Sequence, residues 1–133
     1  MRKTGWIFGS FAAMYIAATI IGFSTYLLVG SRTMWISVFT LMPMLSALLI
    51  YVYLRIMRFP RERSLTETMH LVLVWVGLSF GFDAVTYVVI IPAASHTIPN
   101  WTFFQDQSPW IWLSYAVLVP SAYVGRWMYL RKD

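Results

Sequence analysis

The sequence predicts an all-α polytopic membrane protein, a bundle of four transmembrane helices with both termini on the cytoplasmic side. Three observations carry that expectation. Of 133 residues, 59% are apolar and 11% charged, against about 45–50% and about 25% in a soluble domain. Four stretches reach the roughly 20 apolar residues that cross about 30 Å of hydrocarbon. The cations gather on one side of those stretches. So little charge leaves too little polar surface to coat a water-soluble body, which excludes a soluble enzyme, a disordered segment and a nucleic-acid module. Ten Lys and Arg against five Asp and Glu give a net charge of +5. In so apolar a chain that excess reads as topology rather than as affinity for nucleic acid. Cysteine is absent, so disulfides, thiolate metal sites and cysteine nucleophiles do not enter.

The expected spans are Trp6–Val29, Met34–Leu54, Leu71–Ile91 and Trp110–Tyr129. Arg2 and Lys3 before the first run resemble the start of a secretory signal, but that run exceeds the about 7–15 residues of a signal's apolar region and no A-x-A-like site follows it. Between the first two spans stand Gly30-Ser31-Arg32-Thr33, a link short enough to force antiparallel neighbours. Ser64-Leu65-Thr66-Glu67 fits a capping box, which places the start of the third helix near Leu65. Ser108-Pro109 fits an N-cap followed by proline at the first helical position. The segment Pro92–Ser108 carries Trp101, Phe103 and Phe104, so it is expected to lie on the membrane surface or to pack over the bundle. No internal repeat, low-complexity tract or second domain is visible, and residues 1–133 read as one membrane-embedded unit.

Orientation follows from the cations. Arg2, Lys3, Arg55, Arg58, Arg61, Arg63, Arg126, Arg131 and Lys132 fall on one side and Arg32 alone on the other. That asymmetry places both termini and the loop at 55–69 in the cytoplasm of a cell whose inner (plasma) membrane the chain crosses. Trp6, Trp35, Trp110 and Trp112 open helices and Tyr51, Tyr53, Trp127 and Tyr129 close them, as interfacial aromatic belts do. Arg55, Arg58, Arg61 and Arg63 are expected to meet anionic lipid headgroups, at about 1 kcal/mol per basic residue, or a cytoplasmic partner. Arg126 is expected to anchor its helix at the interface by extending its head toward water.

Asp83 is the residue with the most to say about function. It lies inside the third span, about 12 Å from Ile91 in a regular helix. A carboxylate at such depth costs roughly 2.5–3.5 kcal/mol on insertion scales and usually faces a bundle interior or a watery cavity. Ser79, Thr86 and Tyr87 stand at i−4, i+3 and i+4 and make that helix face polar. Pro43 and Pro120 remove backbone bonds and free the carbonyls of Phe39 and Ala116, about 8–9 Å deep and close to the level of Asp83. Thr19, Gly22 and Thr25 span the same level. These residues together predict a polar layer in the outer half of the bundle, able to hold a cation, a water cluster or a small polar ligand. The competing reading is a carboxyl group that bonds to hydroxyls and only fixes helix packing.

Other features lead less far. Gly77-x-x-x-Gly81, Gly9-x-x-x-Ala13-x-x-x-Ala17 and Ser121-x-x-x-Gly125 permit close helix approach, expected mainly within the monomer. His70 and His96 lie on opposite sides and cannot share a haem, and neither has a metal-ligand companion, so no cofactor or metal is expected. No nucleotide-binding loop, zinc-protease or nucleophile-elbow motif occurs, and no enzymatic apparatus is visible.

Gly81-Phe82-Asp83-Ala84, Pro92, Pro99-Asn100 and Trp110-x-Trp112-x-x-Tyr115 together resemble a family of small four-helix bacterial inner-membrane proteins whose activity is unknown. The resemblance covers roughly residues 77–125. It implies an Asp-Ala pair in the third helix and a Pro-Asn outer loop as recurrent elements, and no activity. Two functions follow from the residues themselves. The first is a non-enzymatic membrane protein, expected as a homo-oligomer, that binds or transports a small cation, proton or polar solute at the layer around Asp83. The alternative is an accessory or assembly subunit packed against a larger membrane complex. A membrane enzyme acting on lipid stands third.

Overall fold

The computed structural model describes residues 2–96 and 99–131, and Lys132 and Asp133 lie outside the described residues. All described elements are helical. Three helices are long and apolar enough to cross a membrane: Arg2–Val29, Ser31–Met57 and the continuous rod Arg61–Ala94. The first two are α1 and α2. The rod comprises α3 (Arg61–Asp83), a π-helical segment (Ala84–Ile90) and a closing turn, α4 (Ile91–Ala94). After it come α5 (Thr102–Asp106), α6 (Trp110–Ala116) and α7 (Leu118–Arg131).

Each boundary has a local cause. Gly30 alone links α1 to α2, at φ 110°, a value only glycine adopts without strain. Its N–H donates to the Tyr26 carbonyl at 3.0 Å and its own carbonyl accepts from Met34 at 3.1 Å. At the other end of α2, Arg58 takes the left-handed conformation and its N–H closes on the Leu54 carbonyl at 2.9 Å. The capping-box expectation at Ser64 does not hold, because α3 starts earlier, at Arg61, with Pro60 as its cap. The Pro60 carbonyl accepts from Arg63 and Ser64, which leaves Ser64 one turn inside the helix and fully buried.

The rod continues past Asp83 as a π-helix and reaches Pro92 in its closing turn. Proline has no N–H for the carbonyl four residues back and its ring crowds that carbonyl. Here that group is the Val88 carbonyl, and the N–H of Asn100 donates to it instead, at 3.0 Å. The chain after the rod is thereby folded back over the bundle. Phe104 is buried and stacks on Phe80 and Trp112 at centroid distances of 5.2 and 5.5 Å, while Phe103 stacks flat on Tyr87 at 4.4 Å. Trp110 opens α6 with Pro109 as the flanking cap residue and no side-chain cap, so proline stands one position earlier than the Ser108-Pro109 pattern implied. The stretch expected as a fourth span is divided at Val117. Pro120 withholds the N–H that the Ala116 carbonyl would accept, and the chain turns there before α7.

The helices close a ring in the order α1, α2, α6 with α7, then the α3 rod. Ile7, Phe11 and Met14 of α1, Ile50, Tyr53 and Leu54 of α2, Leu71, Val72 and Trp75 of α3, and Leu118, Ala122 and Tyr129 of α7 form the core at helical spacing. Gly125 admits the closest approach: a Cβ there would run into the Ala47 carbonyl and lie 3.1 Å from Ile50. Gly77, Gly81 and Gly9 have nothing within 4 Å of a Cβ position, so no neighbour inside the monomer presses on those glycines.

The end of the bundle at the Pro60 turn is held by polar contacts between all four sides. Lys3 pairs with Glu67 at 2.7 Å, and Tyr53 donates to the same carboxylate at 3.4 Å. Arg126 donates from Nε to Ser64 Oγ at 2.9 Å, so it joins α7 to α3 rather than reaching for the interface. Tyr129 donates to the Phe59 carbonyl at 2.6 Å.

Candidate functional site

Above the core the ring opens into a cavity of about 250 Å³. It is bounded by α1, α2, the upper part of the α3 rod and α6, with Phe103 and Gln107 of the folded-back segment at its rim. Its floor is the layer one turn below on each helix: Met14, Trp75 and Leu118 are fully buried and Met42 nearly so.

Asp83 stands in the wall and is clamped from two sides. Tyr15 of α1 donates its phenol O–H to Oδ1 at 2.6 Å, and Tyr115 of α6 donates to Oδ2 at 2.5 Å. Three helices therefore meet at one carboxylate. Each of its oxygens has two lone pairs and gives one to a phenol, so half of its accepting capacity remains. Phenols offer dipoles and no charge. Among the described residues that line the cavity there is no Lys, Arg or His, so Asp83 has no cationic partner there.

Ser79 lies one turn below Asp83 on the same face, 2% exposed, and its Oγ has no hydrogen-bond partner. Helical serine and threonine hydroxyls usually bond back to the carbonyl three or four residues earlier. Ser10, Ser46, Thr68 and Ser121 do so here. Ser79 does not, and it lines the cavity. Tyr87 also lines it, with its ring stacked on Phe103. Tyr26 and Trp35 add further aromatic surface.

The residues expected in the polar layer divide accordingly. Asp83, Ser79 and Tyr87 come together at the cavity, joined by Thr19 and Gly22. Thr25 turns its hydroxyl to its own helix, onto the Ile21 and Gly22 carbonyls at 2.7 and 2.9 Å, and does not line the cavity. Thr86, Phe39 and Ala116 do not line it either. The reason is rotational: Pro43 and Pro120 face an apolar groove between α2 and α7, away from Asp83, and the Phe39 ring packs between Trp35 and Trp110. The layer is built of tyrosines in place of freed carbonyls. Nothing local in the sequence marks Tyr15, whereas Tyr115 stands in the Trp110-x-Trp112-x-x-Tyr115 pattern.

Of the arginine cluster, Arg55 donates to the Tyr51 hydroxyl at 2.6 Å and Arg61 to the Leu130 carbonyl at 3.2 Å. Arg58 and Arg63 are exposed at the Pro60 turn. Among the described residues no group of three or more His, Cys, Asp or Glu is arranged to hold a metal ion.

Compared with protein-family models, curated proteins and solved structures, the chain finds no match.

Proposed function

We propose that the protein is a small inner-membrane protein that binds a small cation at Asp83, from the outer side, in the course of transporting it. The carrying observation is the uncompensated carboxylate. Asp83 lines a cavity with no basic side chain among its described walls, and its two hydrogen-bond donors are neutral phenols. Burying a charge is costly unless it is paired, and a cation entering the cavity supplies that pairing. In this reading α6 and α7 together form the fourth span, both termini face the cytoplasm, and the Pro60 turn with its arginines lies against the inner leaflet. The cavity then opens outward and the Met14–Met42–Trp75–Leu118 layer closes the inner half. Passage to the cytoplasm requires that layer to part, and a homo-oligomer provides the lateral freedom for it.

An accessory-subunit role is the second reading, favoured by the open Gly77 and Gly81 face. One comparison separates the two. Protein in lipid vesicles is assayed for cation-driven flux, with Asp83→Asn as the variant and thermal unfolding as the control for folding. Asp83→Asn is expected to abolish flux while the fold persists. Flux unchanged by Asp83→Asn overturns the proposal, and loss only of co-purification with a second membrane protein establishes the subunit role.

A further inference from the structure

The cavity holds two groups that ask for different things. The Asp83 carboxyl group, when ionised, offers negative charge, and one turn below it the Ser79 hydroxyl is buried with no hydrogen-bond partner. A buried hydroxyl left without a partner costs the desolvation of a polar group with nothing to offset it. The structure thus retains an unmet hydrogen bond in the wall of the cavity that Asp83 also lines. Around them Tyr26, Trp35, Tyr87 and Phe103 present aromatic rings, whose faces attract organic cations. The space of about 250 Å³ far exceeds what one dehydrated metal ion fills, and a single carboxylate with neutral oxygens is a poor metal cage.

Resting on the cation-binding reading above, we propose that the ligand is a protonated amine carried on a small organic body, a primary or secondary ammonium. One N–H donates to a free lone pair of Asp83 and another to Ser79 Oγ, and the carbon body lies against the aromatic rings. A quaternary ammonium satisfies the charge and the rings but leaves Ser79 orphaned. A neutral alcohol of the same shape satisfies Ser79 and leaves the charge.

The test is calorimetric titration of the full-length protein in lipid nanodiscs with four probes: 2-phenylethylammonium, its N-trimethyl derivative, 2-phenylethanol and sodium ion. The primary ammonium is expected to bind about tenfold more tightly than the trimethyl derivative, a gap that one hydrogen bond to a charged group supplies. Ser79→Ala is expected to narrow that gap by weakening only the primary ammonium, and Asp83→Asn to abolish binding of both. Equal affinity for the two ammonium probes, a gap that Ser79→Ala leaves undiminished, or binding of sodium alone overturns the amine assignment while the cation reading stands. If 2-phenylethanol binds as tightly as the ammonium, or if Asp83→Asn binds as well as the unaltered protein, the cation reading falls and this inference with it.

Discussion

Asp83 shows how a residue that hydrocarbon should exclude is accommodated. Its two oxygens accept from two phenols of helices distant in sequence, Tyr15 and Tyr115, and the residue lines a cavity. Interhelical hydrogen bonds in membranes average about 0.6 kcal/mol, because the unfolded chain also finds partners there. A carboxylate acceptor raises the worth of each bond. Tyr115→Phe and Tyr15→Phe are each expected to destabilise the fold by about 1–2 kcal/mol, measured by denaturant unfolding in mixed micelles. The double variant should lose less than the sum, since the first loss frees the carboxylate to reorient. Additive losses would mean that the two phenols act independently of the group they share. At this scale the sequence identified Asp83, Ser79 and Tyr87 through their spacing on one helix. It offered no sign of Tyr15, because the pairing spans 68 positions and no local pattern encodes a contact made by helix packing.

The elements differ in how much of their form is local. Gly30, Pro60 and Pro92 act through backbone chemistry that any helix would obey, and each sets a boundary within a residue or two of itself. Ser64 and Glu67 illustrate the reverse case. Their spacing matches a capping box, yet Ser64 accepts from Arg126 and Glu67 pairs with Lys3, because tertiary partners outcompete a cap once Pro60 has started the helix. The glycine stripes divide in the same way. Gly125→Ala is expected to cost about 1–3 kcal/mol, since the added methyl meets the Ala47 carbonyl and forces α7 off α2. Gly77→Ala should leave the monomer's stability unchanged or slightly raised, because that position faces open space and alanine is the better helix former. Parallel unfolding measurements on the two variants check the pair. A loss at Gly77→Ala comparable to that at Gly125→Ala would show that another chain covers the α3 face.

For the whole molecule, the decisive prediction concerns orientation. The chain has no cysteine, so single cysteines report position without background. In intact cells Asp106→Cys should react with a membrane-impermeant maleimide, whereas Glu62→Cys should react only after permeabilisation. The opposite pattern, or labelling of both, would overturn the assignment of the cavity mouth to the outer side and with it the direction of ligand entry. Composition, run length and the placement of cations are properties of the chain alone, because transfer into lipid depends on each segment's own residues. They determined that the protein is helical and apolar enough to cross a membrane, and that a single carboxylate stands at depth. Which side chains surround that carboxylate depends on how each helix is rotated in the ring, and that follows from packing among Gly125, Trp75, Met14 and their neighbours. Only the tertiary structure therefore decided that Asp83 meets two tyrosines, that Phe39 and Ala116 turn away from it, and that Ser79 waits unpaired beneath it.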